Sequence, residues 1–141
     1  MINKENRPVI ILISFFVVFF ISFIIFISVM VTPEKAFAIT LNSNTLNISG
    51  KNATQISLNN IKEIKFLNKA PNIIFNGGGE ANNMLFGHNY MKNLGFTECY
   101  VNNASGNVIY IKTTNDQFLI GLNDSVNTKN LYNKLLTSDK I

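Results

Sequence analysis

The chain of 141 residues contains one cysteine, no tryptophan and one arginine. A lone cysteine, Cys99, excludes an internal disulfide and any metal site that requires several cysteines. The arginine, Arg7, lies in the first few residues, so everything downstream lacks a guanidinium group for bidentate recognition of phosphate. We therefore expect no specific phosphoinositide site.

Charge is also sparse. Twelve Lys and Arg side chains against eight Asp and Glu give a formal net charge of +4, and the lysines are scattered along the sequence. Nucleic-acid-binding domains concentrate basic residues in a patch, so no nucleic-acid partner is expected. Weak contact with an anionic membrane surface would involve Lys51, Lys62, Lys65 and Lys69, but plain solvation is the simpler interpretation.

Nothing in the sequence has the arrangement that catalysis needs. His88, the only histidine, has no acid or cysteine near it in sequence at relay or ligand spacing, which predicts an exposed loop histidine. Residues 76–80, Asn-Gly-Gly-Gly-Glu, lack the Lys and Ser or Thr of a phosphate loop and predict a flexible connector that ends at Glu80. Cys99 precedes Tyr and Val, which predicts an inert thiol in a strand. We expect no catalytic residue, cofactor or metal, and hence no enzyme.

The beginning of the chain is strongly apolar. Pro8 to Val31 is an uncharged run of 24 residues, rich in Phe, Ile and Val. At ~1.5 Å per residue, a helix of this length exceeds the ~30 Å hydrocarbon core of a bilayer but cannot cross it twice. The sequence thus predicts a leader at 1–7, a transmembrane helix at 8–31 and one domain at 32–141.

Positive charge around the apolar run predicts its orientation. Lys4, Arg7 and the free amino terminus precede the run, whereas only Lys35 follows closely. Positively charged flanks stay on the cytoplasmic side. The count therefore favours a cytoplasmic amino terminus and an extracytoplasmic domain, by a small margin.

Residues 36–38, Ala-Phe-Ala, allow a second interpretation. A small-x-small sequence after an apolar stretch is typical of a signal-peptidase site, and cleavage after Ala38 would release a secreted domain. However, the run is much longer than the ~7–15 residues of a secretory core. Phe37, Ile39 and Leu41 also alternate with smaller or polar residues, as in a strand. We favour the retained anchor.

The domain shows strand patterns over most of its length. Alternating or apolar segments broken by turn residues predict strands at 37–41, 45–49, 54–58, 61–66 and 73–75, the fourth after a turn at 59–60. Further on, 98–101, 108–113 and 117–122 predict three antiparallel strands in series. The glycine-rich part, 76–96, predicts a mobile loop that contributes aromatic anchors to the core.

A single helix is predicted at the carboxyl end. Residues 123–125, Asn-Asp-Ser, offer N-cap oxygens. Four residues then recur at helical spacing on one face: Thr128, Leu131, Tyr132 and Leu135. One apolar face requires something to cover, and an end of a bent sheet fits this requirement.

These segments resemble a known family. Tyr100 to Leu136, with Ile56 to Leu67 upstream and Pro-Glu-Lys at 33–35, closely resembles the bacterial pleckstrin-homology-like domain of small single-pass membrane proteins. The matching positions are Ile56, Leu58, Ile61, Ile64, Gly87, Gly95, Tyr100, Val101, Ile109, Ile111, Lys112, Thr113, Ile120, Thr128, Leu131 and Tyr132. The resemblance spans 33–136 and implies an α+β fold, a bent antiparallel sheet or barrel of about seven strands capped by one carboxyl-terminal helix.

The resemblance also bears on location and function. It implies a bacterial cell-membrane protein in which 36–41 begins the first strand rather than ending a signal peptide. Because such folds carry many functions, the partner is not implied. We expect a membrane-anchored, non-enzymatic interaction module that binds a protein or itself through an exposed patch or strand edge within 84–96. The alternatives are a secreted domain, a weak anionic-lipid binder, and an enzyme using His88, Cys99 or Glu80.

Overall fold

The computed structural model describes residues 7–30, 36–50 and 52–138, with the side chains of the first helix described from 12 to 28. The chain divides into two compact units. One unit contains helix α1, and the other contains every described strand and the second helix.

Helix α1 extends over Arg7–Met30 and consists almost entirely of Ile, Phe, Val and other apolar residues. The helix predicted from the apolar run is thus present. Only residues 12–28 of α1 have described side chains, and over the described residues no helix is long and apolar enough to cross a membrane.

The second unit contains two sheets and a helix. The strands are β1 (Ala38–Leu41), β2 (Thr45–Ser49), β3 (Thr54–Ser57), β4 (Ile61–Leu67), β5 (Ile73–Asn76), β6 (Gly79–Ala81), β7 (Met84–Met91), β8 (Gly95–Val101), β9 (Val108–Thr113) and β10 (Gln117–Gly121); helix α2 is Ser125–Leu136. Strands β1-β2-β3 form a small antiparallel sheet. The larger sheet has seven strands in the order β4-β9-β10-β8-β7-β5, with β6 also paired to β7. The predicted α+β class, with a seven-stranded sheet and a carboxyl-terminal helix, is confirmed.

The central strands of the large sheet are buried on both faces. Because side chains alternate along a strand, Tyr100, Ile109 and Ile120 face one side, where they join Leu46, Ile48, Ile56, Leu131 and Leu135 of the small sheet and α2 in the first core. Cys99, Val108 and Leu119 face the other side. There Leu67, Ala70, Ile73, Leu94 and Ala104 pack against this second core. Burial on both faces accounts for the nearly continuous apolar sequence of β9 and β10.

Helix α2 forms as its sequence predicts. The Asp124 side chain accepts a hydrogen bond from the Asn127 backbone N–H at 2.7 Å, which satisfies one of the free N–H groups of the first turn. Thr128, Leu131 and Leu135 are buried. The predicted apolar face therefore covers one side of the first core, as a terminal helix was expected to do.

One prediction about strand order is wrong. Strands β8, β9 and β10 are not three antiparallel neighbours, because β10 lies between the other two and pairs parallel to β8. The turn residues at 102–107 and 114–116 show only that the chain reverses direction, whereas the choice of neighbour depends on which strands share a core.

The prediction of a mobile loop at 76–96 is also wrong. This segment contains β6, all of β7 and the start of β8, and β7 pairs with β8 from Leu85↔Val101 to Met91↔Gly95. The glycines and asparagines take turn conformations: Asn82, Asn83, Asn93 and Gly95 have positive φ. Two tight turns produce the irregular composition, and the aromatic residues stand on strands.

The small sheet is tied to the large one through an amide side chain. The Phe37 backbone N–H donates to Asn102 Oδ1 at 2.7 Å, and Asn102 Nδ2 donates to the Phe37 carbonyl at 2.9 Å. Both residues are buried, so this pair of bonds satisfies groups that water does not reach. The Asn102 amide thus occupies the place of a neighbouring strand just before β1.

We expect Gly78→Ala to destabilise the domain. A Cβ at residue 78 would lie 2.0 Å from the Phe86 carbonyl oxygen and 2.9 Å from the Gly87 Cα, so backbone atoms of β7 must move. Such overpacking costs about 1–3 kcal/mol in free energy of unfolding. Urea denaturation of the full chain in mild detergent, followed by circular dichroism, measures this cost.

Gly106→Ala is the matched control. Its added Cβ would come no closer than 3.3 Å to the Asn103 side chain, which can move. We expect little change in the urea midpoint. Equal midpoints for the two variants would contradict the close approach of Gly78 to β7.

Candidate interaction surface

Three aromatic side chains are brought together at the end of the β7–β8 hairpin. In the register of the sheet, Tyr90 pairs with Phe96 across the hairpin and with Phe75 of β5 on its other side. His88 pairs with Glu98 one step further along the same face. Paired side chains share a face of a sheet and contact each other. We call Phe75, His88, Tyr90 and Phe96 the aromatic surface.

Ring contacts hold this surface in place. Tyr90 and Phe96 meet edge to face, with centroids 4.9 Å apart and planes at 80°. His88 stacks on Phe96, with centroids 5.2 Å apart and planes at 13°. His88 Nδ1 lies 2.7 Å from Glu98 Oε1. The imidazole is therefore oriented on one side by a carboxylate and on the other by a ring.

The aromatic surface is the uncovered continuation of the first core. Phe86 and Tyr100 form the preceding pair on the same face, and the Tyr100 hydroxyl donates to the Asn52 carbonyl in the β2–β3 turn at 2.9 Å. Past this pair the small sheet no longer covers β7 and β8. Phe96 is 56% exposed and Phe75 is 63% exposed. The structure thus leaves large apolar rings in solvent.

An open groove of about 630 Å³ adjoins the aromatic surface. Its walls include residues 52–54, the glycines at 77–78, and the His88–Glu98 pair. Glu98 and Asp116 are the acids among its described lining residues. The lining of this groove consequently combines acidic and aromatic side chains.

The glycine segment that invites a phosphate-loop interpretation has a packing role. Gly79 and Glu80 belong to β6, and Gly78 donates its N–H to Asn89 Oδ1 at 3.3 Å. The fully buried Asn89 side chain also donates to the carbonyls of Phe86 and Gly87. Sequence analysis did not identify Asn89. The segment predicted as a flexible connector is instead held against β7.

His88 and Cys99 lie in different surroundings. The prediction that His88 is exposed is confirmed, but it stands on β7 rather than in a loop. Glu98 was missed as its neighbour because the two are ten residues apart in sequence; the Asn93–Gly95 turn was the signal that could have paired them. Cys99 is fully buried in β8, and burial raises the pKa of its thiol to about 12. The predicted inert thiol on a strand agrees with this position.

Four lysines were considered for contact with an anionic membrane surface. Lys65 Nζ lies 2.6 Å from Glu63 Oε1, and this hydrogen bond raises the pKa of Lys65. Lys62 and Lys69 are exposed, and Lys51 lies outside the described residues. Over 7–30, 36–50 and 52–138, no three His, Cys, Asp or Glu side chains are grouped so as to hold a metal ion.

Cys99 gives a direct test of the packing behind this surface. We expect the native thiol to resist iodoacetamide at mildly alkaline pH and to react once urea unfolds the domain, because only the exposed thiolate is nucleophilic. Mass spectrometry counts the adduct, and the double variant Cys99→Ala, Asn115→Cys, with its thiol at an exposed position, should react immediately. Immediate reaction of native Cys99 would contradict its burial.

Burial of the Cys99 thiol also makes the stability of the domain depend on pH. The folded chain holds the thiol proton up to about 12, whereas the ordinary pKa is 9.0. Its contribution to stability is therefore complete below 9.0 and is lost as the pH rises through this window. Cys99→Ala should remove that part of the alkaline decline in the urea midpoint, and an unchanged decline would contradict it.

Comparison with known proteins agrees with the fold. The family model described as "Bacterial PH domain" matches residues 28–135, which is most of the chain. No curated protein and no solved structure gives a match. The matched range includes every described strand and all of α2 except its last residue. The resemblance of 33–136 to a bacterial PH domain is thereby confirmed, without its single-pass membrane part, and the chain belongs to the bacterial PH domain family.

Proposed function

We propose that this chain is a non-enzymatic protein-interaction module, held at the bacterial cell membrane by α1 as a single-pass anchor. The observation that carries the proposal is the aromatic surface. Large exposed aromatic rings are characteristic of binding sites, because they bury much apolar area and lose little side-chain entropy on binding. The contacts of Tyr90 and His88 with Phe96 hold the rings before any partner arrives.

The position of the rings supports an interaction with protein. They stand on paired strands rather than in loops, so the backbone beneath them is fixed by the β7–β8 ladder. Asp116 in the adjoining groove, together with the Glu98 carboxylate that His88 already contacts, favours a partner with basic as well as apolar side chains. A specific phosphoinositide site is not proposed. Weak binding to anionic lipid also has less support, since Lys65 is engaged by Glu63.

The proposed anchor is supported by the character of α1. Its described side chains, from Leu12 to Ile27, include exposed Phe, Ile and Val residues along the entire stretch. A helix that is apolar all round requires an apolar environment, which a bilayer supplies. The positive residues Lys4 and Arg7 favour a cytoplasmic amino terminus and an extracytoplasmic domain.

Retention of the anchor is supported by the start of the domain. Cleavage after Ala38 would remove Phe37, which is buried in the first core and packs edge to face on Tyr100 at 5.4 Å. It would also remove both groups that bind Asn102. A secreted form would begin without these contacts, so the uncleaved chain is the better proposal.

We expect the double variant Tyr90→Ser, Phe96→Ser to lose its partner in crosslinking experiments on intact membranes. Removing two exposed rings should reduce the crosslinked product at least about tenfold, as expected for loss of more than ~1.4 kcal/mol of binding free energy. Blotting against a carboxyl-terminal tag measures the product, and its mass distinguishes a different protein from a second copy.

Val126→Ser is the matched control, since Val126 is an exposed apolar residue on α2, away from the aromatic surface. It should leave the crosslinked product unchanged. Equal loss in both variants, or no loss in the double variant, would refute the aromatic surface as the binding site.

We further expect the full-length chain to remain in the membrane after alkaline carbonate washing. External protease should digest a carboxyl-terminal tag on wall-stripped cells, because the domain is proposed to face outward. A tag protected until the membrane is broken would reverse the orientation. Recovery in the medium of a product lacking the first 38 residues would instead establish cleavage after Ala38.

A further inference from the structure

A second groove lies at the opposite side of the small sheet, between β1 and α2. Its volume is about 820 Å³, within the ~300–1,000 Å³ range of ligand clefts. Ile39 and Leu41 of β1 form one wall, and Asn130 and Lys134 of α2 stand on the other. This groove contains none of the residues of the aromatic surface.

Strand β1 borders the groove as an edge strand, because among the described strands it pairs only with β2. The Asn42 N–H donates to the Thr45 carbonyl and closes the β1–β2 turn. Hydrogen-bonded and non-hydrogen-bonded pairs alternate along an antiparallel ladder, so Thr40 and Ala38 direct their backbone groups toward β2. Ile39 and Leu41 consequently direct their N–H and C=O groups away from β2.

The hydrogen bonds of Phe37 support this assignment. Phe37 lies two residues before Ile39, so its backbone N–H and C=O point to the same side of the strand as those of Ile39. Both of these groups form hydrogen bonds with the Asn102 side chain. The outward backbone groups of this segment can therefore pair with an amide group, as those of Phe37 do with Asn102. In the described residues, no hydrogen bond outside the sheet ladders reaches the backbone of Ile39 or Leu41. The groove therefore contains the next two positions of an incomplete ladder.

The side chains around these positions indicate what would complete it. Ile39 and Leu41 are partly buried against the first core, and Leu131 is buried at the groove wall. Both carboxylate oxygens of Asp124 are already engaged by Asn127. Lys134 is exposed and has no carboxylate partner among the described residues. The groove offers backbone pairing, an apolar wall and one available positive charge.

We propose that this groove binds an extended peptide segment of a partner protein, which adds to β1 as a further strand. Its backbone pairs with Ile39 and Leu41, its alternate side chains are apolar and face the core, and an acidic side chain approaches Lys134. Strand addition obtains affinity from main-chain hydrogen bonds and specificity from alternate side chains. The proposal does not depend on the aromatic surface.

The test uses the full chain in detergent micelles and a fluorescent synthetic peptide that alternates valine with threonine and carries a central glutamate. We expect saturable binding and slower hydrogen exchange at the Ile39 and Leu41 N–H groups. Proline at alternate positions of the peptide should abolish binding, because proline cannot donate to the ladder. Absence of saturable binding to the wild-type chain, or equal binding of the proline peptide, would overturn the proposal.

Variants separate the site from the rest of the domain. Leu41→Pro removes an N–H that faces the groove and spares the bonds to β2, so affinity should fall about tenfold. Asn130→Trp should have the same effect by filling the groove without altering β1, whereas Asn115→Trp, in the β9–β10 turn, should have none. Retained binding in Asn130→Trp would overturn the proposal even if Leu41→Pro fails to fold.

Two further measurements use peptide binding. One distinguishes this groove from the aromatic surface, and the other tests the role of the Lys134 charge. Tyr90→Ser with Phe96→Ser should leave peptide binding unchanged, so failure of either proposal is recognised separately. Lys134→Glu should reverse the preference toward a peptide with lysine in place of glutamate. An unchanged preference would overturn the assignment of Lys134.

Discussion

The structure depends on the burial of β8, β9 and β10 on both faces. These three adjacent strands carry apolar side chains on both faces of the large sheet. Each face must therefore be buried by other elements packed against it. The small sheet and α2 cover one face, while the segment between β4 and β5 and the turn residues Leu94 and Ala104 cover the other. The remaining elements of the domain are arranged around this requirement.

The small sheet that packs on the first core ends before strands β7 and β8 do. This difference in length leaves the aromatic surface exposed. Strands β7 and β8 extend past the Phe86–Tyr100 pair, where the β2–β3 turn ends its contact through Asn52. Tyr90 and Phe96 then continue the pattern of the core into solvent. The same alternation that builds a core inside the domain therefore presents an apolar face outside it.

The edge strands β4, β5 and β1 differ in how well they are protected against pairing with another chain. Strand β4 carries Lys62 and Lys65 among its outward residues, and charged side chains on an edge oppose pairing with other chains. Strand β5 is short and its register with β7 shifts between Ile73 and Phe75, which interrupts an edge ladder. Strand β1 has neither protection, and it faces a groove instead of open solvent. It is the edge at which we propose strand addition.

Local patterns in the sequence determined most of the elements. The Asp124 cap and the Thr128, Leu131, Leu135 spacing predicted α2, the turn at 59–60 predicted the start of β4, and the alternation at 37–41 predicted β1. Matching residues across 33–136 indicated the family. Helix spacing, helix caps and strand alternation all depend on residues that are close together in the chain, so the sequence shows them directly.

Only the tertiary structure decided which strands meet. The parallel pairing of β8 with β10, the strands hidden in the glycine-rich segment and the His88–Glu98 contact all join residues through the sheet. Asn102 looks like an ordinary turn residue, yet it binds the backbone of Phe37, 65 positions earlier. The sequence contains the alternating pattern that makes Tyr90 and Phe96 suitable for a core. Whether such a pattern is buried or exposed depends on where the covering elements end, which is a property of the assembled domain.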